Sequence, residues 1–458
     1  MHPPEKMSRL EMRATLGLAG IYALRMLGLF IVLPVFAVYA EHLPGGDDHT
    51  LIGIALGAYG LTQAILQIPF GWMSDRFGRK PVIYGGLAVF ALGSFIAAAG
   101  TDIYLVILGR VVQGAGAISA AVMALTADLT REEHRTKAMA MIGMTIGATF
   151  ALSLIAAPLL NRLMGVPGIF ALTGALAIAA MLIAYRVVPD PRESHFHSEA
   201  EANPAQLRDV IRDPELLRLN FGVFVLHGVL MAMWVVVPFA LRSAGLAVDH
   251  HWQVYLPVLI CSVVLMLPAI IMGERRGRLK EVFIGAIAVV LASQLMFGGL
   301  AAHFWGLVAS LLVFFTGFNL LEASLPSIIS RVAPVGARGT AIGVYSTVQF
   351  LGTFTGAAAG GFLSQHYGAP AVFLAGALAA AAWLAVAATM TPPAAVRTRM
   401  YHVEPLDGAG ADGLTRALAA LPGVREAVVP AGEGVAYLKV DAKGFDEQRV
   451  LQLLGGRA

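Results

Sequence analysis

The chain has a single cysteine, Cys261, among its 458 residues. One cysteine excludes a disulfide framework, a thiolate metal cluster and a redox pair within one chain. The sequence also lacks the short motifs that mark common enzyme classes, namely a nucleophile elbow, a phosphate-binding P-loop and the HExxH zinc motif. We therefore expect no enzymatic activity, no catalytic residues, no cofactor and no metal site, and we expect no nucleic-acid partner.

Charged residues are scarce. Asp, Glu, Lys and Arg make up 13% of the chain, whereas 57% of the residues are hydrophobic and 50 are glycines. This composition excludes an ordinary soluble globular protein. A membrane-spanning helix needs about 20 mostly apolar residues, and segments of that kind recur twelve times between residues 15 and 390. The sequence therefore predicts an all-α membrane protein with twelve transmembrane helices.

The basic residues concentrate in every second loop between the apolar segments. Arg76, Arg79 and Lys80 follow the second segment, for example, and later alternate loops are basic as well. The intervening loops carry almost no Lys or Arg, with Arg162 and Arg242 as exceptions. Because short cytoplasmic loops are enriched in Lys and Arg, we expect a multi-pass protein of the cell inner membrane with both termini in the cytoplasm.

A polar stretch at residues 191–216 divides the membrane part into residues 1–190 and residues 217–391. The two parts repeat each other weakly, because DRFGRK aligns with ERRGRL, and HRTKAMA with ARGTAIG, at nearly the same offset. Such repetition indicates a duplicated half. We predict two six-helix pseudo-repeat halves joined by a cytoplasmic linker. The part of the linker that reads PAQLRDVIRDPEL has the spacing of a short amphipathic helix, with a solvated tether as the alternative.

The last part of the chain, residues 400–458, has charged residues throughout and no spanning run. Its pattern predicts a strand at YHVE, a helix over 411–421, strands at VREAVVP and VAYLKVD, and a helix over 445–454. The order βαββα matches a ferredoxin-like unit whose last strand is missing or very short. We therefore predict a small α+β cytoplasmic domain at the C-terminus.

The stretch GWMSDRFGRK at 71–80 ends the second apolar segment with a cluster of charges. Its order of residue types and its place after a second helix resemble the signature of the major facilitator superfamily between helices 2 and 3. LGRVVQGAGA, centred on Arg110 and Gly114, resembles the fourth-helix motif of the same family. With its C-terminal domain, the chain resembles the YajR group of that superfamily. The resemblance implies a secondary active transporter that works by alternating access.

The resemblance also implies a conformational latch between the two halves on the cytoplasmic side. Asp75 would meet the N-terminus of helix 11 near Gly339, where unpaired backbone N–H groups and the helix dipole favour an anion. Gly71 would allow the close approach and Gly78 the tight turn, while the basic neighbours would exchange partners with Asp128 as the latch opens. The alternative is that the cations only fix the topology. The predicted latch residues are Gly71, Asp75, Arg76, Gly78, Arg79, Lys80 and Asp128.

Three ionisable residues, Arg25, Arg110 and Glu322, interrupt the apolar segments. A charge that faces lipid costs about 2.5–3.5 kcal/mol or more, so we expect all three to face the protein interior. In the superfamily, helices 1, 4, 7 and 10 line the central cavity, which implies that these residues and His227 of helix 7 lie there. The first six segments contain no Asp or Glu in their spanning parts, so Glu322 is the candidate partner of both arginines.

A charge pair between Glu322 and an arginine of the other half would weaken when Glu322 takes up a proton. This pattern predicts proton coupling. Two alternatives stay open: the arginines hold an anionic substrate group, or they only bond polar neighbours such as Gln63, Gln67 and Gln113. For His227 we expect a packed, hydrogen-bonded histidine rather than a proton carrier.

Aromatic residues at Phe30, Trp234, Phe315 and Phe318 suit a hydrophobic or amphipathic small-molecule substrate, and helix packing is the alternative for them. With the narrower resemblance, we expect proton-coupled export by a monomer embedded in the lipid bilayer. One alternative is proton-coupled uptake. The other is a transporter-like sensor that signals through the C-terminal domain.

Overall fold

The computed structural model describes residues 7–190, 204–276, 278–334, 337–391, 396–432, 434–441 and 444–455. Before the C-terminal domain, these residues are mainly helical, with a short 3-10 helix at Val248–His250. The helices are α1 Arg9–Phe30, α2 Leu33–Ala40, α3 His49–Phe77, α4 Arg79–Ala98, α5 Ile103–Gly114, α6 Ser119–Asp128, α7 Glu132–Arg186, α8 Pro204–Val210, α9 Pro214–Ser243, α10 Trp252–Arg276, α11 Leu279–Leu300, α12 Phe304–Val332, α13 Arg338–Tyr367 and α14 Ala369–Ala388.

Local side-chain chemistry sets the starts of several helices. Ser8 and Glu11 form a capping box at the start of α1. Asp48, Asp102 and Asp213 each accept a hydrogen bond from a backbone N–H in the first turn of α3, α5 and α9. These oxygens satisfy donors that the start of a helix leaves unpaired. The capping residue therefore fixes the position at which each of these helices begins.

Several of the predicted segments are interrupted helices. The first is split between α1 and α2, just before a proline in the first turn of α2, and the fourth is split by residues 115–118 between α5 and α6. The fifth and sixth segments are joined in α7, where Gly165 has φ 68° and ψ 174°. A positive φ is open to glycine because it has no Cβ, so α7 consists of two helices with a sharp break between them.

Ten helical stretches in the described part of the chain are long and apolar enough to cross a membrane. One of the ten is Lys137–Arg186, which contains the break at Gly165. Helix α13 is not among the ten, although it has 30 residues. The chain is thus a multi-pass membrane protein.

The helices pack in two groups, α1 to α7 and α9 to α14, and the most extensive contacts between the groups join three pairs of helices. Between the groups, α3 packs along α13, α2 along α9, and α7 along α10. The closest approach is at Gly53 of α3, where an added Cβ would stand 2.1 Å from the carbonyl oxygen of Ala357 in α13. Small residues allow such close helix packing in membranes.

The two ends of the bundle are distinguished by their loops. The far end is the end of the bundle at which α3 begins and α13 ends. The linker end is the opposite end, at which α3 ends and α8 lies. In the predicted linker, α8 forms the short helix, and Gln206 of α8 accepts a hydrogen bond of 3.4 Å from the Thr340 hydroxyl of α13. Helix α9 begins at Pro214, so its first three residues lie inside the predicted linker, because Asp213 caps it.

The C-terminal domain contains β1 Val396–His402, α15 Gly408–Ala419, β2 Val424–Val428, β3 Val435–Asp441 and α16 Glu447–Gly455. Its strands form an antiparallel sheet in the order β1-β3-β2. A core that includes Leu414, Leu438 and Val450 lies between the helices and the sheet. The element order is the predicted βαββα. The first strand was predicted at YHVE, residues 401–404, but spans Val396–His402, because Arg397 and Arg399 conceal the start of its pattern in the sequence.

Candidate functional site

The two arginines of the membrane interior are bound by neutral groups of their own half. Arg25 donates to Ser119 Oγ at 3.1 Å, Tyr59 Oη at 2.7 Å and Gln63 Oε1 at 2.6 Å. Its side chain is completely buried. A buried guanidinium needs such acceptors because an unsatisfied donor in a low-dielectric interior is costly.

Arg110 has an equivalent set of acceptors. It donates to Gln113 Oε1 at 2.6 Å and to the backbone carbonyl oxygens of Ala55 and Leu56 at 3.3 and 3.2 Å. Both guanidinium groups also lie against the ring of Tyr59, with the Cζ atoms 5.9 Å (Arg25) and 5.3 Å (Arg110) from its centroid.

These contacts correspond to the alternative in which the arginines bond polar neighbours. Gln63 and Gln113 are direct partners of the arginines, and Gln67 accepts a hydrogen bond from Gln63 at 3.2 Å. The predicted pair between Glu322 and an arginine of the other half is not formed in this structure. Neutral acceptors on α3, α5 and α6 of the same half bind the guanidinium groups in place of a carboxylate from the opposite half.

Glu322 of α12 instead lies beside His227 of α9. Glu322 Oε2 is 3.5 Å from His227 Nε2. The same Nε2 is 2.7 Å from the amide nitrogen of Gln349 in α13, and His227 Nδ1 is 3.2 Å from the Val223 carbonyl oxygen. The carbonyl can only accept, so Nδ1 carries a proton, and Nε2 accepts from the Gln349 amide. His227 thus has a hydrogen-bonding partner at each ring nitrogen.

The carboxylate of Glu322 remains short of donors. Its Oε2 atom is buried and has no hydrogen-bond partner, although 40% of the side chain is accessible. The 3.5 Å contact with His227 is not a hydrogen bond, because the ring nitrogen is directed at Gln349. The Tyr345 hydroxyl, one turn from Gln349 on α13, is also buried without a partner. The sequence analysis did not predict Gln349 and Tyr345 as site residues. Their polar side chains within an apolar segment were the signal that could have identified them.

An aromatic cluster crosses from the first half to the second next to Glu322. Phe30 and Phe150 have ring centroids 5.1 Å apart, and Phe150 lies 6.3 Å from Phe315 of α12. Phe315 lies 6.2 Å from Phe318, whose ring is 5.9 Å from that of His227. Three of the four predicted aromatic residues thus belong to this cluster. The fourth, Trp234, packs against Tyr255 with a centroid distance of 5.5 Å.

At the linker end, the charged motif is bound within the first half. Asp75 forms an ion pair with Arg79, one turn further along, and keeps 37% of its side chain accessible. Arg79 Nε also donates to Asp128 Oδ2 at 3.1 Å, and its Nη1 donates to Ser74 Oγ at 2.9 Å. The predicted contact of Asp75 with α13 near Gly339 is not formed in this structure, because Arg79 holds the carboxylate on its own side.

The other residues of the motif have separate contacts. Lys80 Nζ donates to the Val188 carbonyl oxygen at 2.7 Å and pairs with Asp190 at 2.8 Å. Arg76 lies over the rings of Trp72 and Phe77, with Cζ 5.4 and 5.7 Å from their centroids. The remaining two residues are glycines with steric roles.

Gly78 joins α3 to α4 with φ 92°, a conformation that disfavours residues with a Cβ. At Gly71, an added Cβ would be 3.3 Å from the Cβ of Ala120 in α6. The close approach predicted for Gly71 is therefore present, but toward α6 of the same half rather than toward the second half. The spacing of α3 and α6 depends on this glycine.

At the far end, polar contacts join the two halves. Glu41 pairs with Arg242 at 2.7 Å, and this hydrogen bond lowers the pKa of the Glu41 carboxyl below its ordinary value. His49 lies 3.0 Å from Ser364 Oγ through Nδ1, and its backbone N–H donates to Gln365 Oε1 at 2.8 Å. The sequence signal for this closure was Arg242, an exception to the alternation of basic loops. Because the pKa of Glu41 is lowered, the pair weakens as the pH falls through that lowered value.

The C-terminal domain contacts the membrane part through Lys439 of β3. Lys439 Nζ donates to the carbonyl oxygen of Ala333, the residue that ends α12, at 2.7 Å. Glu426 Oε2 is 3.7 Å from the same amine. Burial lowers the pKa of Lys439, and Glu426 partly offsets this effect. A cation at the C-terminal end of a helix is stabilised by the helix dipole.

Metal-site geometry is not found in the described part of the chain, where no group of three or more His, Cys, Asp or Glu side chains is placed to hold an ion. The features that could bind a ligand are therefore the carboxylate, the amide and hydroxyl groups near it, and the aromatic cluster. Together they place one anionic group beside four phenylalanines, of which Phe315 and Phe318 are buried and Phe30 and Phe150 are partly exposed.

The sequence matches known transporters over most of its length. The sequence model of the Major Facilitator Superfamily matches residues 18–272 and 251–404. The inner membrane transport protein YajR of Escherichia coli is 43% identical over 438 residues, which cover 96% of each chain. The quinolone resistance protein NorA of Staphylococcus aureus is 26% identical over 366 residues, 75% of this chain and 88% of NorA.

A similar fold is found in a solved structure, a bacterial homologue of the human lysosomal transporter Spinster in an inward-facing and occupied conformation. It has a TM-score of 0.68 and 14% sequence identity, and the match covers 84% of this chain and 98% of that one. The extent of the family match, the YajR likeness over nearly the whole chain and the two-part helical fold agree with one another. The chain therefore belongs to the major facilitator superfamily and is a membrane transporter of that family.

Proposed function

We propose that this transporter exports a small hydrophobic or amphipathic molecule in exchange for protons, by alternating access. The observation that supports proton coupling is Glu322, an intramembrane carboxylate that is 40% accessible and has no donor on Oε2. An unpaired charge in a low-dielectric interior is costly, and protonation removes that charge. A group that gains a proton facing one side and loses it facing the other couples transport to the proton gradient.

The proposed topology has twelve crossings in the inner membrane, with both termini in the cytoplasm. The two parts of α7 each have the length of one crossing, and α13, packed between α3 and α9, is another. The basic loops make the linker end cytoplasmic. Residues 1–190 and 217–391 are then the two halves around a linker at 191–216, and residues 400–458 belong to a ferredoxin-like domain on the cytoplasmic side.

With this orientation, we propose that the transporter is a monomer and that the state described is inward-facing. The contacts of Glu41 with Arg242 and of His49 with Ser364 hold the halves together on the periplasmic side. In the outward-facing state, we propose that Asp75 leaves Arg79 and meets the start of α13 near Gly339, where the helix dipole favours an anion. Arg79 then keeps Asp128 as its partner. The charged motif thus acts as a latch on the cytoplasmic side.

Export is favoured over uptake by the name of the relative NorA, a quinolone resistance protein.

The direction of transport is measured together with proton coupling in proteoliposomes loaded with a pH-sensitive dye. A chemically diverse panel of hydrophobic and amphipathic compounds is applied with and without a pH gradient. Antiport gives proton and substrate fluxes in opposite directions, whereas uptake by symport gives fluxes in the same direction.

Replacement of Glu322 by glutamine tests the role of the carboxylate. We expect Glu322→Gln to abolish substrate-dependent proton flux, because glutamine cannot titrate, while substrate exchange without a gradient persists. The matched control is Glu281→Gln, since Glu281 is exposed near the linker end, and it should leave proton flux unchanged. Undiminished coupling in the Glu322→Gln protein would remove this residue from the mechanism.

The second candidate function is a sensor that signals through its C-terminal domain. The contact of Lys439 with the end of α12 supports this candidate, because it connects the domain to the membrane part. The two functions differ in net flux. A sensor binds its ligand in the membrane part without transporting it, whereas a transporter moves it across proteoliposomes. Deletion of residues 400–458 with full retention of transport would make the domain an accessory.

A further inference from the structure

Two lysines bind the ends of distant helices in the same way. Lys80 Nζ of α4 donates to the carbonyl oxygen of Val188, just beyond the end of α7, at 2.7 Å. Lys280 Nζ of α11 donates to the carbonyl oxygen of Ala388, the last residue of α14, at 3.0 Å. Each lysine precedes its acceptor by 108 residues. Lys280 and Ala388 both lie 200 residues beyond Lys80 and Val188.

This common offset makes the two lysines equivalent positions in the two groups of helices. Aligned by their motifs, DRFGRK and ERRGRL place a leucine opposite the first lysine, whereas the hydrogen bonds place the second lysine there. At the same offset, the residues opposite Asp75 and Arg79 are Arg275 and Leu279. An arginine and a leucine cannot form the ion pair that joins Asp75 to Arg79. The lysine is therefore present in both loops, whereas the ion pair of the latch belongs to the first loop.

The position of each lysine in its own helix is electrostatically unfavourable. Lys80 and Lys280 are the second residues of α4 and α11, and the dipole of a helix is positive at its start. The ends of α7 and α14 have the opposite effect, because the last carbonyl groups of a helix lack intrahelical partners and favour a cation. Lys80, with 11% of its side chain accessible, also pairs with Asp190. Contact with the end of another helix therefore offsets the dipole of the helix that carries each lysine.

The first long helix of each group reaches the same two helix ends. Arg13 Nη2 of α1 donates to the carbonyl oxygen of Arg186, the last residue of α7, at 2.8 Å. Glu215 Oε1, in the first turn of α9, accepts from the hydroxyl of Thr391 at 2.6 Å and from its backbone N–H at 3.3 Å. The last helix of each group is thus bound to two other helices where the chain leaves the bundle.

We propose that Lys80 and Lys280 are a pair of clamps, each of which holds the last helix of one group against the rest of that group at the linker end. This inference rests on the proposed alternating-access function and gives Lys80 a positioning role separate from the latch of Asp75 and Arg79. A rocking motion moves each group as a body, and the linker and the C-terminal domain follow the ends of α7 and α14. The clamps keep these two helices with their groups when the attached segments move.

Hydrogen exchange, measured by mass spectrometry on the full-length protein in lipid nanodiscs, tests the clamps. Lys80→Met should accelerate exchange in the last turn of α7 by about tenfold, because it removes a hydrogen bond from a charged donor. Lys280→Met should do the same in the last turn of α14. Lys80→Arg keeps a cation that can donate and should restore slow exchange. Arg76→Met and Arg278→Met are the matched controls, since both are exposed cations of the same loops, and they should leave exchange in both helix ends unchanged.

Spin labels show whether the clamp holds α7 in its group. Labels at Gly85→Cys and Tyr185→Cys, in a background with Cys261→Ser, report the distance between α4 and the end of α7. Both positions are exposed, and nothing lies within 4 Å of an added Cβ at Gly85. Lys80→Met should broaden the distribution of this distance, whereas Asp75→Asn should leave it unchanged. Thermal unfolding and gel filtration establish that each variant is folded. If Lys80→Met does not fold, exchange in α14 of the second lysine variant still tests the clamps.

Unchanged exchange in α7 of Lys80→Met, or in α14 of Lys280→Met, would overturn the inference. A Lys80→Met protein that alters only the distance between the groups, reported by labels at Phe77→Cys and Arg331→Cys, would make Lys80 a partner in the latch instead. These outcomes are separable from those for the proposed function. If Glu322→Gln leaves proton flux undiminished while both lysine variants accelerate exchange, the proposed coupling is wrong and the clamps stand. If neither lysine variant has an effect while Glu322→Gln abolishes coupling, the clamps are wrong and the proposed function stands.

Discussion

Tyr59 is the residue that makes two buried arginines possible in the first half. Its hydroxyl accepts from Arg25 at 2.7 Å, and its ring lies against both guanidinium groups. Arg25 and Arg110 thus keep their charge in the membrane interior through neutral acceptors and a π-face, with neither pairing with a carboxylate in the described residues. Hydrogen bonds to charged groups are stronger than neutral ones. The cost of leaving such a donor unsatisfied is correspondingly large.

Tyr59→Phe should destabilise the protein by about 1.5–3 kcal/mol, because it removes one acceptor of a buried charge and changes little volume. The measurement is the thermal unfolding midpoint of the purified protein in detergent. Tyr104→Phe is the control, since Tyr104 is 63% exposed and its hydroxyl should contribute less than about 0.5 kcal/mol. Equal midpoints for the two variants would show that the Tyr59 hydroxyl does not support Arg25.

Helix α12 links the interior of the bundle to the C-terminal domain. Glu322 lies ten residues before the end of α12, about 15 Å along the axis, and Lys439 binds the carbonyl oxygen of Ala333 just beyond that end. One continuous helix, with Pro326 inside it, joins the two points. The docking of β3 on this helix end is therefore a structural connection between the domain and the carboxylate.

Lys439→Met should release the domain from α12, because methionine keeps the apolar stem and cannot donate to Ala333. We expect faster hydrogen exchange in the last turn of α12 and in β3, measured by mass spectrometry on the full chain. Arg449→Met is the control on the same domain, because Arg449 is exposed on α16 and pairs locally with Asp446. Exchange that is unchanged in Lys439→Met, or raised equally in both variants, would show that Lys439 does not dock the domain.

For the whole molecule, the contact between α3 and α13 is the most extensive one between the two groups of helices. Gly53 and Gly57 bring these helices together, and a Cβ at Gly53 would stand 2.1 Å from a backbone oxygen that cannot rotate away. Ordinary contact needs about 3.5 Å. The close packing of α3 on α13 therefore requires that position 53 has no side chain, and a larger residue there opposes this packing.

Gly53→Val should shift the protein toward a state that is open at the far end and should abolish transport. Spin labels at Thr101→Cys and Ala302→Cys, in a background with Cys261→Ser, report the distance across that end, which should lengthen. Gly85→Val is the control, because nothing lies within 4 Å of an added Cβ at Gly85. An unchanged distance in Gly53→Val would mean that the helices adapt without opening.

The same variant tests the latch at the linker end. When the far end opens, a rocking motion brings the linker ends of the two halves together. A second label pair, Phe77→Cys with Arg331→Cys, should then give a shorter distance, and neutralising Asp75 as Asp75→Asn should reverse that shortening. A distance that stays long while the far end opens would contradict the latch.

Much of the fold was predictable because the bilayer imposes a length and a polarity on each segment. The apolar runs located the membrane helices, and the charge pattern located the loops. The α/β alternation after residue 400 gave the order of the C-terminal elements. The breaks within the first and fourth segments were missed, since a proline or a pair of glycines in an apolar run does not reveal whether the helix bends or stops.

The sequence predicted which residues belong to the candidate site, but it did not predict which of them bind each other. Arg25, Arg110, Glu322 and His227 were identified because charges and polar rings are costly in lipid. Their partners depend on which helices meet at which height. Arg79 is an example. Its motif predicted contacts between charged residues, but only the packing of α3 and α6 brings Ser74, Asp75 and Asp128 within reach of its guanidinium group.

The sequence by itself determined that this protein is a membrane protein and that it carries a few charges that must face inward. The length of an apolar segment, the basic residues of a loop and the order of a motif are all local properties of the chain. They can therefore be recognised in the amino-acid sequence without knowing which helices pack together. Only the tertiary structure decided that the arginines are enclosed by neutral groups while Glu322 is left accessible beside His227 and the phenylalanines. That choice depends on competition among partners from distant helices, because each buried polar group binds whichever acceptor or donor the packing places nearest.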